Sequence, residues 1–147
     1  MRVAIGSDHA GFYMKEEIKG FLSKMGVEFS DFGCHSPESV DYPDIGRQVA
    51  KSVAEGEYDR GILICGTGIG MSMVANKVRG VRAALCQDEF SARASRQHNN
   101  ANVLALGARV IGPGLACSIV EVFLRTDFEG GRHARRVGKI EAIEGEE

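Results

Sequence analysis

The chain has 147 residues, 44% of them hydrophobic, which suits one domain, residues 1–147, built around a single buried core. Its formal net charge of −2 at pH 7 gives no global attraction to nucleic acid or to an anionic membrane surface, so any anion must be recognised by a local cluster. The opening Met1-Arg2-Val3-Ala4-Ile5-Gly6 turns too soon for a signal-peptide core or a membrane span, and the expected location is the cytoplasm.

Arg2 to Gly6 reads as a strand. From Phe12 to Met25 the residues Met14, Ile18, Phe21, Leu22 and Met25 recur at three- and four-residue steps, which marks one face of a helix ended by Gly26. Val27 to Phe32 follows as a strand. Pro43 to Ala54 carries Ile45, Val49 and Val53 at helical spacing, and Gly61 to Cys65 is a continuous apolar run suited to a strand covered on both faces. Gly70 to Lys77 reads as a short helix and Val81 to Leu85 as a fourth strand. Asp88 to Arg96 is a helix with Asp88 as its N-cap, and Asn102 to Leu106 is a fifth strand. Leu115 to Leu124 and Arg132 to Ile143 are the closing helices, and the acidic Glu144-Gly145-Glu146-Glu147 reads as a frayed, solvated tail.

Repeated strand–helix units need crossover connections, which predicts an α/β fold: a Rossmann-like three-layer sandwich around a five-stranded parallel sheet. Ligands in such sheets sit beyond the carboxyl ends of the strands, at the point where strand order reverses. The loops after Ile5, Phe32, Cys65, Leu85 and Leu106 are therefore the ones to inspect. The four cysteines, Cys34, Cys65, Cys86 and Cys117, form no C-x-x-C pair and read as reduced thiols. His9, His35, His98 and His133 are equally dispersed, so neither a metal nor a cofactor is expected.

Four segments carry groups capable of chemistry. Asp8 and His9 follow the first strand; they either meet a ligand's hydroxyls and phosphate or serve as a helix cap and a turn residue. Cys65-Gly66-Thr67-Gly68-Ile69-Gly70 leads into a helix, so its backbone N–H groups form an anion cradle. Gly70-Met71-Ser72 lacks the lysine of a P-loop, and the G-x-G-x-G spacing after a third strand is not a dinucleotide fingerprint. A developing oxyanion is the remaining guest, with Cys65 as a base whose thiolate a helix N-terminus favours. His98 falls between a helix and the amino edge of the fifth strand, about 15 Å from the cradle at ~3.3 Å per residue. It is either a helix-terminal histidine or part of a neighbouring subunit's site. Arg132 and Arg136 share a helix face and, with Arg109, suit one phosphate better than nucleic acid, because the basic patch is short and has no interleaved aromatics.

Asp8-His9, Asp41-Tyr42-Pro43, Ile64 to Gly70, Ser95-Arg96-Gln97-His98-Asn99 and Gly130-Gly131-Arg132-His133 occur in order along nearly the whole chain. Together they resemble the type B ribose-5-phosphate isomerases, a family that also includes galactose-6-phosphate and allose-6-phosphate isomerases. The resemblance implies a metal-independent interconversion of ribose 5-phosphate and ribulose 5-phosphate through an enediolate, within the pentose phosphate pathway. It also implies a homodimer with shared active sites, with the helix near 131–144 at its interface, while pairing of dimers into tetramers stays open. Carried over position by position, Cys65 is the proton-transfer base, Thr67 acts with it, and Gly66, Gly68, Ile69 and Gly70 surround the enediolate oxygen. His98 assists ring opening. Asp8, His9, Tyr42 and Asn99 contact the sugar or its phosphate, and Arg109, Arg132 and Arg136 supply phosphate-binding charge. Some family members place a glutamate one residue after the loop's final glycine; here Met71 stands there and cannot act as a base. Six-carbon sugar phosphates are the nearest alternative substrates, and a non-catalytic sugar-phosphate-binding module is the alternative from another class.

Overall fold

A computed structural model describes residues 1–146. The elements follow the apolar periodicity in chain order: β1 (Arg2–Ser7), α1 (Phe12–Lys24), β2 (Glu28–Asp31), α2 (Tyr42–Ala54), β3 (Arg60–Cys65), α3 (Ile69–Asn76), β4 (Ala83–Leu85), α4 (Glu89–Asn99), β5 (Val103–Gly107), α5 (Pro113–Arg125) and α6 (Arg132–Glu144). The strands make one parallel sheet in the order β2-β1-β3-β5-β4. The chain turns outward from β1 to β2 and then crosses back to β3, so strand order reverses between β1 and β3.

The three central strands are the continuous apolar runs, and alternation sorts their side chains onto two faces. Val3, Ile5, Ile62, Ile64, Leu104 and Leu106 pack with residues of α1, α4 and α5 on one side. Ala4, Leu63, Cys65, Val103 and Ala105 pack with α2 and α3 on the other. This is the expected three-layer sandwich. Each fully buried Ile or Leu contributes about 1.5–3 kcal/mol, so these central strands set the frame on which the loops rest.

Register brings the strand ends level: Ser7 pairs with Ile64, and Cys65 with Gly107. β2 and β4 are edge strands and shorter than the sequence pattern suggests; Val81 lies in a turn, its N–H bonded to the carbonyl of Val78. Helix α4 runs on to Asn99, beyond the expected end at Arg96, which places His98 and Asn99 in its last turn. Asn100 takes the left-handed cap conformation, and the buried Arg96 guanidinium binds the Asn100 side chain and the carbonyls of Ala101 and Thr126. Those contacts fasten the end of α4 to the chain entering β5 and to the segment after α5.

The tail also departs from expectation. Helix α6 includes Glu144, whose carbonyl accepts from Arg79 at 2.7 Å and whose carboxylate accepts from the Gly80 N–H at 2.9 Å, so this residue is tied down rather than frayed. Glu147 lies outside the described residues. Among the described residues no helix is long and apolar enough to cross a membrane.

Candidate active site

Cys65 ends β3 and is almost wholly buried, and its Sγ accepts the backbone N–H of Gly68 at 3.2 Å. Gly68 makes this turn at φ +82°, where an added Cβ would meet the backbone carbonyl carbon of Leu106 at 3.0 Å and the side chain of Leu85. Only glycine fits there. Thr67 Oγ1 accepts the N–H of Ile69 at 3.2 Å and so closes a local turn just ahead of α3. The thiol is thus enclosed by a turn at the N-terminus of α3.

Four further side chains reach the same edge. The Asp8 carboxylate accepts the Gly11 N–H at 3.0 Å while the Asp8 N–H donates to the carbonyl of Ile64, one residue before the thiol. The capping expectation for Asp8 therefore holds in part: it organises the turn into α1 and still stands beside the cradle. His9 Nδ1 accepts the N–H of Val40 at 3.2 Å, which ties the β1 loop to the segment before α2. The Tyr42 ring lies against Gly70, 2.6 Å from where a Cβ would stand, and the Arg109 guanidinium lies over Gly66, 3.3 Å from the corresponding point. Arg109 is held there because its N–H donates to the Gly66 carbonyl at 2.9 Å.

A second group forms at the opposite edge. His98 stacks on His133 with ring centroids 4.5 Å apart and planes 17° from parallel. The Glu129 carboxylate lies 3.5 Å from His98 Nε2 and 3.9 Å from His133 Nε2. The Glu129 N–H donates to the Gln97 carbonyl at 3.1 Å and fixes the three against one another. Desolvation, the His98 ring and Arg132 push the His133 imidazole below its ordinary pKa, with Arg136 acting in the same direction. Asn99 borders a groove with Ala83, Ala84, Ile140 and Ile143.

The fold therefore brings Cys65, Thr67, Gly66, Gly68, Ile69, Gly70, Asp8, His9, Tyr42 and Arg109 together and leaves His98, Asn99, Arg132 and Arg136 at the far end of the strands. Arg109 does not join Arg132 and Arg136 within one chain, because α5 carries the chain from the carboxyl edge back to the amino edge between them. Sequence reasoning did not assign His133 and Glu129 to a site. Their four-residue spacing was visible, but nothing local pointed to His98, which arrives from another helix. Dispersion along the chain gave no sign that His98, Glu129 and His133 each place a ligand atom within 4.8 Å of the others.

The model of the ribose/galactose isomerase family matches residues 3–140. The chain belongs to this family. A solved structure of the Clostridium thermocellum ribose-5-phosphate isomerase B superposes with a TM-score of 0.98 at 58% identity, covering 99% of each chain. The ribose-5-phosphate isomerase B of Escherichia coli is 53% identical across 97% of this chain and 96% of its own. The D-erythrulose-4-phosphate isomerase of Pectobacterium atrosepticum is 46% identical across 100% of this chain and 97% of its own. The family match spans both edge groups, from Asp8 to Arg136. Within that family frame Met71 is fully buried, packed in the core beneath the cradle with Val49 and Ala75.

Proposed function

We propose that the chain is an aldose–ketose isomerase that interconverts D-ribose 5-phosphate and D-ribulose 5-phosphate, with Cys65 as the base. The observation that carries this reading is the Gly68 N–H on the Cys65 sulfur at the head of α3. A thiolate held there removes the proton from the hydroxyl-bearing carbon beside the carbonyl, and the electron pair moves onto the carbonyl oxygen to give an enediolate. Cradle N–H groups other than those of Gly68 and Ile69, which already serve Cys65 Sγ and Thr67 Oγ1, meet that oxygen, an arrangement in which a single donor is worth about 100–1000-fold in rate. Returning the proton to the neighbouring carbon, while the hydroxyl proton passes from the oxygen that becomes the carbonyl to the one that becomes the hydroxyl, completes the isomerisation. With Met71 buried in the core, Cys65 is the base this loop offers.

The opposite-edge group enters through a second copy. His98 assists ring opening, Asn99 contacts the sugar or its phosphate and Arg132 and Arg136 bind the phosphate in the partner's site, while Asp8, His9 and Tyr42 act on the sugar or its phosphate in cis and Arg109 adds phosphate-binding charge. The exposed Ile140 and Ile143 on α6 give that copy an apolar surface to cover. We place the enzyme in the cytoplasm, within the pentose phosphate pathway; its four unpaired cysteines fit a reducing compartment. The similarity to the Pectobacterium enzyme favours a four-carbon sugar phosphate as the second reading. The test is a comparison of kcat/KM on ribose 5-phosphate, D-erythrulose 4-phosphate, allose 6-phosphate and galactose 6-phosphate. Ribose 5-phosphate is expected to lead. A higher value for another sugar reassigns the substrate, and binding of all four without turnover of any makes the chain a binding module.

A further inference from the structure

We propose that His98, Glu129 and His133 form a binding site for a divalent late first-row metal ion, Zn²⁺ above all. The site has two imidazoles and one carboxylate, a donor set that zinc takes readily while keeping a fourth position open. Glu129 Oε1 stands 3.5 Å and 3.9 Å from the two Nε2 atoms, and one ligand atom from each residue lies within 4.8 Å of the others. Tetrahedral coordination at about 2.0–2.2 Å sets ligand atoms roughly 3.3–3.6 Å apart. The carboxylate is already near that spacing, and the imidazoles need to close by little more than about 1 Å and to turn out of their stack so that both Nε2 lone pairs converge.

The scaffold holds this spacing without an ion. His98 sits in the last turn of α4, Glu129 is pinned beside it through the Gln97 carbonyl, and His133 starts α6 after the Gly130-Gly131 turn. Glu129 has no part in the proposed isomerisation, which leaves its carboxylate between two imidazoles without another task. Arg132 and Arg136 flank the position and repel a dication, so the site suits a reversibly bound, inhibitory ion rather than a structural one. Occupation withdraws His98 from ring opening; that consequence rests on the proposed role of His98, whereas metal binding itself does not.

The test uses chelator-treated, dialysed full-length protein titrated with Zn²⁺ by calorimetry and with Co²⁺ by absorption, alongside folded Glu129→Gln and His133→Asn variants. One ion per chain is expected. Loss of an outer-sphere partner weakens metal binding about 10–100-fold, and loss of a ligand should weaken it at least as much. No binding, binding by both variants as tight as by wild type, or thiolate-to-cobalt charge-transfer bands overturns the site. Zn²⁺ is also expected to slow the wild-type isomerase and to act more weakly on Glu129→Gln. Variant-sensitive metal binding with undiminished turnover supports the site and refutes the role given to His98.

Discussion

Gly107 offers a way to move the cradle without touching a reacting group. It ends β5 in register with Cys65, and a methyl group built on it would lie 2.6 Å from the Thr67 carbonyl oxygen and 2.7 Å from its carbonyl carbon. A relaxed carbon–oxygen contact needs at least about 3.3 Å, so Gly107→Ala pushes the loop off β5 by roughly 0.7 Å. The obstacle is backbone and cannot swing aside. Displacing Thr67 carries its neighbour Gly68 with it and loosens the 3.2 Å contact to Cys65 Sγ. Misplacement by about 1 Å costs on the order of 100-fold in rate, so kcat/KM should fall about 30–100-fold. Overpacking should cost about 1–3 kcal/mol of stability. Steady-state isomerisation of ribose 5-phosphate gives kcat and KM, and thermal melting confirms folding at the assay temperature. The loss should appear mainly in kcat, because Arg132 and Arg136, which supply phosphate-binding charge, lie at the other edge. A folded variant with kcat within about twofold of wild type would refute the claim that loop position against β5 sets the rate.

Cys65→Ala should abolish turnover while phosphate-bearing inhibitors still bind; near-normal turnover would remove Cys65 as the base. Mixing inactive Cys65→Ala with inactive His98→Asn should restore partial activity in hybrid dimers, and no recovery despite demonstrated subunit exchange counts against His98 acting in trans. Asp31→Asn should cost about 1.5–3 kcal/mol, because it strips a carboxylate 2.6 Å from the wholly buried Lys15 ammonium and leaves that charge to Glu16 at 3.0 Å. Burial alone would raise the Asp31 pKa, but hydrogen bonds from Lys15 and Lys19 and from the Gly33 N–H outweigh it and hold the carboxyl below its ordinary range. Its stabilisation is thus complete above the unfolded carboxylate pKa of about 3.9 and is lost as pH falls through the lower native value. Melting temperatures measured from neutral to acid pH should show that loss in wild type and less of it in Asp31→Asn, and identical acid slopes would show that Asp31 is not responsible.

Sheet class and layer structure were legible in the sequence because β1, β3 and β5 are apolar runs whose burial leaves little freedom of placement. The cradle was legible because its glycines and its position before a helix are local features. Less visible was anything depending on a residue's long-range partner. The end of α4 is tied down by Arg96, whose buried guanidinium reaches the Asn100 side chain and the Ala101 and Thr126 carbonyls. The Lys15–Asp31 pair was equally hidden: Lys15 lies on the apolar side of α1 only because Asp31, at the end of β2, stands ready to accept from it. Arg109 was grouped with Arg132 and Arg136 by charge, a property that carries no information about which end of a strand a residue occupies.

That last distinction bears directly on how the enzyme is assembled. In a parallel sheet every helix returns the chain to the amino edge, so a residue's edge follows from whether it comes after a strand or after a helix. Cys65, Asp8 and Arg109 come after strands; His98 and Asn99 end α4, and Arg132 and Arg136 follow α5. No rotation of a side chain spans a strand of five residues at ~3.3 Å each. A site that needs both the thiol and His98 must therefore be closed by another copy facing the opposite way. A monomeric variant should then retain the stacked His98–His133 pair and the Cys65 turn, each intact in its own fold, and yet lose the activity that requires them together.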